Sequence, residues 1–179
     1  MQEDLLMMKI AGGDQRSFDV LYDLWCRRIM AYAYRSLRDV QEAEDVVQET
    51  FLQVYRAAPS YRCEGKFGAF VLRIAGNLVR MRFRGAPKPD SLSDILDDEE
   101  AHPESLRHSP EEGMLHEIDM EALLRRLPER QREALILVAS GATYSEGASA
   151  MGVTADAFAQ LVLRARRLLN KMKSARTRD

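Results

Sequence analysis

The sequence has little cysteine, histidine or tryptophan and no long apolar run. Two of its 179 residues are cysteine, three are histidine and one is tryptophan. Cys26 and Cys63 lie far apart without CxxC or Cys/His spacing, so we expect neither a metal site nor a required disulfide. No apolar run approaches the ~20 residues of a membrane span, and the first residues lack the pattern of a signal peptide. We therefore expect a cytoplasmic globular protein without a cofactor.

The usual signatures of an enzyme are also missing. The sequence contains no recognisable set of nucleophile, base and orienting group, and no glycine-rich phosphate loop. Its paired carboxylates fall on a helical face or in an acidic run at residues 97–100. We therefore predict a protein without catalytic residues, which acts by binding other molecules.

Charge is distributed unevenly along the chain, although the net charge is only −2. Lys and Arg number 13 against 11 Asp and Glu in residues 1–84, 2 against 9 in 85–112, and 11 against 8 in 113–179. Residues 85–112 also hold four of the six prolines. Such a segment buries too little apolar surface to offset its ordering entropy. We predict two domains, 1–84 and 113–179, joined by a flexible acidic linker at 85–112.

Both flanking segments have the apolar spacing of helices, which predicts an all-α protein. In the first domain, Asp14 is a candidate cap for a long helix, and Pro59 ends a later one. The apolar stripes of three helices are Phe18, Leu21, Tyr22, Trp25, Ile29 and Tyr32; then Val47, Phe51, Val54 and Ala58; then Phe67, Phe70, Val71, Ile74, Leu78 and Met81. We predict a bundle of three or four helices.

The helix after Pro59 carries a row of cations opposite its apolar side. This basic stripe consists of Lys66, Arg73, Asn77, Arg80 and Arg84. At 3.6 residues per turn the five lie within roughly 60° of one another, and no carboxylate interrupts them. Lys and Arg bind phosphate oxygens and Asn can pair with a base edge, so the stripe suits nucleic acid. A solvated helix face explains it equally well.

A short polar elbow, residues 59–65, joins the last two of these helices. It places the Tyr61 ring beside Arg62 and Lys66. Aromatic and guanidinium planes stack on unpaired bases, which suits melted single-stranded DNA. The alternative is an ordinary connection in which Tyr61 packs inward, and spacing alone favours that alternative.

The second domain has the signals of a helix-turn-helix. Pro128 suits the first turn of one helix, and Gly141 ends it. Thr143 and Glu146 have the spacing of a capping box, and Gly152 makes a turn before the last helix.

Four stretches carry a resemblance to a known family: GDQRSFDVLYDLWCRRIMAYAY, AEDVVQETFLQVYR, KFGAFVLRIAGNLVRMRFR and RLPERQREALIL with the following helix-turn-helix. From about Leu5 to Leu169 the chain resembles RNA polymerase sigma factors of the extracytoplasmic-function group, which have two small helical domains. The resemblance implies core RNA polymerase, promoter DNA and an anti-sigma factor as partners. It implies that Asp45, Gln48 and Glu49 bind the polymerase. It also implies that the promoter −10 element is contacted by Tyr61, Arg62, Lys66, Arg73, Asn77, Arg80 and Arg84.

The chain departs from the family pattern at several positions. Met81 stands where an Asp is usual, and Gly147 replaces an apolar core residue, which predicts lost packing. The last helix begins with residues 157–162, AFAQLV, where the family has a run with cations. The resemblance leaves Gln160, Arg164, Arg166 and Arg167 as candidate contacts to a −35 element, and we expect them to read it weakly. These departures support an alternative function, a sigma-like decoy or adaptor without promoter activity.

Overall fold

The computed structural model describes residues 2–84 and 117–176, and every regular element in those ranges is helical. The helices are α1 (Gln2–Ala11), α2 (Gln15–Leu37), α3 (Val40–Ala57), α4 (Phe67–Arg84), α5 (Glu117–Arg125), α6 (Glu129–Ala139), α7 (Tyr144–Met151) and α8 (Ala155–Arg176). A 3-10 turn, Ala58–Ser60, follows α3. The predicted all-α fold of two small helical domains is confirmed. The linker prediction lies outside the described residues, and the domain limits stay predictions.

The first domain comprises α1–α4, and local sequence signals set where its helices begin. Asp14 caps α2 by accepting a hydrogen bond from the Arg16 N–H, and Asp39 caps α3 by accepting one from the Glu42 N–H. The core stripe of α3 is buried as its spacing predicts. Met81 is an error in the predicted α4 stripe, because 56% of its surface is exposed. It lies in the last turn of α4, where Phe83 is also exposed.

The second domain comprises α5–α8, with α7 and α8 forming the helix-turn-helix. The predicted capping box is present: Thr143 accepts a hydrogen bond from the Glu146 N–H, and Glu146 accepts one from the Thr143 N–H. Gly152 ends α7 with φ +68°, a left-handed conformation that glycine adopts without steric cost. Each of these signals acts within a few residues, which is why the sequence predicts them well.

The two domains pack against each other along α4 and α7. One continuous hydrophobic cluster extends from Met7 in α1 to Val162 in α8. Glycine permits the close approach, because a Cβ at Gly68 of α4 would collide with Glu146 Oε1 and lie 2.8 Å from Trp25 Cη2. The domains therefore form one body through a shared core.

Two classes of feature are absent from the part of the chain that the structure describes. None of its helices is long and apolar enough to cross a membrane. In the same ranges, no three side chains of His, Cys, Asp and Glu come together as metal ligands would.

Candidate polymerase and promoter interface

The acidic face of α3, defined by Asp45, Gln48 and Glu49, lies on the surface of the first domain. Asp45 and Gln48 are exposed and Glu49 is half-buried, because the opposite face of α3 supplies the core. Glu49 Oε1 accepts a hydrogen bond of 3.1 Å from the side chain of Gln53. The structure thus brings the three predicted residues together on adjacent positions of one helix.

A groove of about 700 Å³ between α2 and α3 adjoins this face, and the sequence analysis did not identify it. Its lining comprises Tyr22, Cys26, Arg27, Met30, Ala31, Tyr34, Val40, Glu44, Val47 and Gln48. Four of these residues, Tyr22, Cys26, Met30 and Tyr34, recur every four positions along α2. Tyr22, predicted in the core stripe of this helix, is 37% exposed and belongs instead to this second stripe, which is the sequence signal that could have found the groove. Tyr34 and Val40 are 41% and 52% exposed.

The structure divides the basic stripe of α4 into exposed and engaged residues. Lys66, Arg73 and Asn77 are exposed, whereas Arg80 is half-buried. Arg80 Nη1 forms an ion pair of 2.7 Å with Glu133 Oε1 in α6. Its Nη2 donates to Asn77 Oδ1 at 2.6 Å and to the Ala150 carbonyl of α7 at 3.1 Å. Arg84 is the last residue of α4.

Tyr61 packs inward at the elbow, whereas its charged neighbours are exposed. The Tyr61 ring lies 5.1 Å from the Phe70 ring, and its hydroxyl donates to Asp4 Oδ1 at 2.8 Å. Arg62 and Lys66 are exposed, and Lys66 Nζ lies 3.3 Å from Glu64 Oε2. Of the two interpretations of the elbow, this geometry favours the inward packing of Tyr61 and leaves the cations at the surface.

The helix that would read the −35 element begins with a core residue. Phe158 is fully buried, and a Cβ at Gly147 would come 2.6 Å from its Cε2 atom. The packing that we expected to be lost at Gly147 is therefore restored by Phe158. The four candidate contacts are Gln160, Arg164 and Arg166, which are half-buried, and Arg167, which is exposed. Gln160, Arg164 and Arg167 lie on the side of α8 opposite Phe158, whereas Arg166 lies on the flank nearer Phe158.

Polar contacts join the two domains at both ends of α7. Arg28 of α2 donates to the Gly141 carbonyl at 2.6 Å and pairs with Glu146 Oε2 at 3.2 Å. Its guanidinium carbon also lies 4.2 Å from the ring centre of Trp25. Arg35 donates to Ser140 Oγ at 3.3 Å. These contacts accompany the Arg80–Glu133 pair, so the interface between the domains is specific as well as apolar.

Glu133 lies within this interface, and its surroundings alter its acidity. Burial raises its pKa, while the neighbouring guanidinium of Arg80 and the hydrogen bond from the Tyr32 hydroxyl oppose the rise. The Glu129 carboxylate adds a smaller upward contribution. Tyr32 donates to Glu133 Oε1 at 3.2 Å, and burial raises the pKa of its phenol well above the usual value.

The raised pKa predicts that the folded protein gains stability from Glu133 as the pH falls. The folded state binds the proton more tightly than the unfolded state, so this contribution is fully present below the ordinary pKa of 4.5 and is lost as the pH rises through the folded value. Glu133→Gln replaces the carboxyl group by an uncharged amide of the same shape, so it should remove this pH dependence of stability. The measurement is the free energy of unfolding of both proteins from about pH 4.5 to about pH 8. If the free energies of unfolding of the two proteins depend on pH in the same way, the prediction is wrong.

Comparison with known proteins identifies the family. A family model described as Sigma-70 region 2 matches residues 21–87, and one described as Sigma-70, region 4 matches residues 118–169. The RNA polymerase sigma-H factor of Pseudomonas aeruginosa is 32% identical over 179 residues, which cover 95% of this chain and 93% of that protein. The ECF RNA polymerase sigma factor SigW of Bacillus subtilis is 32% identical over 141 residues, 72% of this chain and 73% of that protein.

A solved structure gives the same answer for the fold. The sigma factor RpoE from Bartonella quintana, in complex with the anti-sigma factor NepR, matches with a TM-score of 0.60 and 27% identity, over 87% of this chain and 97% of that one. Both sigma-70 regions occur here in order, in a chain that matches sigma factors over nearly its whole length. The protein belongs to the sigma-70 family as an extracytoplasmic-function sigma factor, a transcription initiation factor that binds core RNA polymerase and directs promoter recognition.

Proposed function

We propose that two separate surfaces of the first domain perform the two tasks of this sigma factor. The acidic face of α3 and the adjoining groove bind core RNA polymerase. The elbow and the basic stripe of α4 contact the −10 element. The observation that carries the proposal is that α3 and α4 each bury one face in the common core and expose the other. Polymerase and DNA can therefore bind the first domain at the same time.

The −10 contact has a physical basis in the exposed side chains. Arg62, Lys66 and Arg73 supply cations for backbone phosphates, and Asn77 supplies an amide for a base edge. Tyr61 holds the elbow and presents its half-exposed ring there, and the proposed contacts continue to Arg80. Arg84, the last residue of α4, keeps its −10 role as a prediction from the sequence. Binding to unstacked bases in preference to paired ones shifts DNA toward the open state, so the protein melts its promoter without bond chemistry.

The second domain is proposed to contact the −35 element through the outer side of α8. Gln160 can pair with adenine, and Arg164, Arg166 and Arg167 can bind phosphates. The buried Phe158 takes part in the core at the start of this helix, and the exposed Asp156 repels phosphate there. We therefore propose that −35 reading is weak and that the −10 contacts dominate promoter choice.

An anti-sigma factor is the proposed regulatory partner. The Bartonella quintana sigma factor, 27% identical to this chain, was solved in complex with an anti-sigma factor. A protein that occupies the groove between α2 and α3, or covers the acidic face of α3, would prevent polymerase binding and so block initiation. The proposed compartment is the cytoplasm, where the polymerase and the chromosome are. The proposed domain limits remain 1–84, 85–112 and 113–179.

Removing charge from the acidic face is expected to weaken polymerase binding. Asp45→Ala with Glu49→Ala should raise the Kd for core RNA polymerase about three- to tenfold, as expected for the loss of two surface charges, one exposed and one half-buried, at an interface. The measurement is a binding titration with labelled protein at two salt concentrations. Asp19→Ala with Glu64→Ala removes the same charge from other exposed positions and serves as the control. Equal weakening by both pairs would place the polymerase contact elsewhere.

Transcription from a pool of randomised promoters tests the proposed function as a whole. Core RNA polymerase is assayed with and without this protein, and the transcribed templates are sequenced. Enrichment of a −10 element, with little enrichment at −35, is the expected result. Polymerase binding without any transcription would favour a sigma-like decoy or adaptor.

A further inference from the structure

Asp4 of α1 lies directly against the elbow, far from it in sequence. Only 8% of Asp4 is exposed. Its Oδ1 accepts the hydrogen bond of 2.8 Å from the Tyr61 hydroxyl, and its backbone carbonyl accepts one of 3.6 Å from Cys63 Sγ. The two contacts span 57 and 59 positions. One acidic residue therefore holds two points of a seven-residue connection.

The α1 side of this contact is anchored in the core. Met7 and Ile10 are buried, with 0% and 4% of their surfaces exposed, and α1 packs on α2 and on the turn before the elbow. In contrast, residues 62–66 are exposed. Burial and the bond to Asp4 raise the pKa of Tyr61, which keeps the phenol protonated as the donor. Asp4 is thus the fixed partner, and the elbow is the segment that it holds.

We propose that Asp4 is a positioning residue for promoter opening. By holding Tyr61 and Cys63, it sets the conformation from which Arg62 and Lys66 meet the −10 strand. This inference rests on the proposed −10 role of the elbow. It adds a contribution from α1, which precedes the match to Sigma-70 region 2 at residue 21.

Preorganisation explains why such a contact affects DNA binding. A polar connection whose side chains are mostly exposed, as in residues 62–66, samples many conformations, and binding DNA in one of them loses that freedom. The bond to Asp4 removes part of this freedom before DNA arrives. Loss of the bond should therefore weaken DNA binding even though Asp4 itself contacts no DNA.

The experiment is a double-mutant cycle on the complete holoenzyme. Asp4→Ala, Tyr61→Phe and the double variant are combined with core RNA polymerase, and binding to a forked DNA probe with a single-stranded −10 element is titrated. Each single substitution should weaken binding about three- to tenfold, the range of one net hydrogen bond. The double variant should be no weaker than the worse single variant, because both remove one bond. If the fold-losses in DNA binding of the two single variants multiply in the double variant, the two residues act independently and the proposal is overturned.

Two further variants separate positioning from general stability. Asp4→Asn retains an acceptor oxygen for Tyr61 and should restore most of the binding. Val162→Ala lowers stability at a buried position of α8, outside α1 and the elbow. If Val162→Ala reduces DNA binding as much as Asp4→Ala, or if Asp4→Asn fails to restore binding, Asp4 acts only through stability. Core polymerase affinity should stay unchanged in all of them.

Arg73→Ala distinguishes failure of this inference from failure of the proposed function. If Arg73→Ala weakens binding to the forked probe and Asp4→Ala does not, the −10 surface stands and the role of Asp4 is refuted. If neither substitution weakens binding, the assignment of the −10 surface is itself wrong, and the inference fails with it.

Discussion

Gly147→Leu is expected to destabilise the protein by about 3 kcal/mol. Gly147 is buried in α7, and the Phe158 ring occupies the space that a side chain would need: a Cβ there would come 2.6 and 2.8 Å from Cε2 and Cε1 of Phe158. Phe158 is itself fully buried, and close-packed protein interiors leave little room for such a ring to move. The gain of about 1 kcal/mol in helix propensity offsets only part of this overpacking.

A compensating substitution tests the explanation directly. Gly147→Leu combined with Phe158→Ala exchanges the large and small residues and should recover most of the lost stability, because total core volume is nearly kept. Free energies of unfolding are measured in urea by far-ultraviolet circular dichroism. Ser145→Leu, at an exposed position of the same helix, should change stability by no more than about 0.5 kcal/mol. If Phe158→Ala restores no stability to the Gly147→Leu protein, the two side chains do not compete for the same space.

The exchange at Gly147 and Phe158 also shows where sequence reasoning stops. Periodicity and capping signals are local, so the helices, the Asp14 cap and the Thr143–Glu146 capping box could be predicted. The partner of Gly147 lies in the next helix and depends on how the two helices cross. From sequence alone, Gly147 indicates missing packing; only the fold shows that Phe158 supplies it.

The same limit applies to the candidate site. The spacing of the basic stripe correctly puts Lys66, Arg73 and Asn77 on one exposed face, because that depends on a single helix. It gives no sign that Arg80 pairs with Glu133, 53 positions away, or that Tyr61 bonds to Asp4. Both contacts arise from packing between separate elements, which residue spacing does not encode. Long-range polar contacts are therefore the part of the site that residue spacing cannot predict.

Arg80 and Glu133 form one ion pair, yet their substitutions are expected to change promoter opening in opposite directions. Arg80→Ala should reduce open-complex formation about tenfold, because it removes a proposed DNA contact from the basic stripe. Glu133→Ala should increase it. That substitution removes the ion-pair partner of Arg80 and an acceptor that joins α6 to Tyr32 across the two domains, so α6 holds Arg80 less firmly and DNA can compete for it.

Promoter opening is measured by the reactivity of unpaired thymines in the −10 region, with saturating holoenzyme. The double variant Arg73→Ala with Arg80→Ala should reduce promoter opening more than either single variant and leave the affinity for core polymerase unchanged. It should also reduce the slope of log K for promoter binding against log salt concentration by about two. Arg82→Ala is the matched control. It breaks the Arg82–Glu42 pair, also 2.7 Å, but Arg82 lies on the opposite side of α4 and pairs within the first domain.

The opposite signs make this comparison decisive. An ion pair with a purely structural role loses the same contact whichever partner is removed, so both substitutions would then lower promoter opening together. Divergent effects require that Arg80 has a second partner when the domains separate, and the exposed Arg73 and Asn77 beside it indicate DNA as that partner. The packed arrangement of the two domains would then be a state that the protein leaves in order to melt a promoter, and Glu133 would be a residue that favours that state.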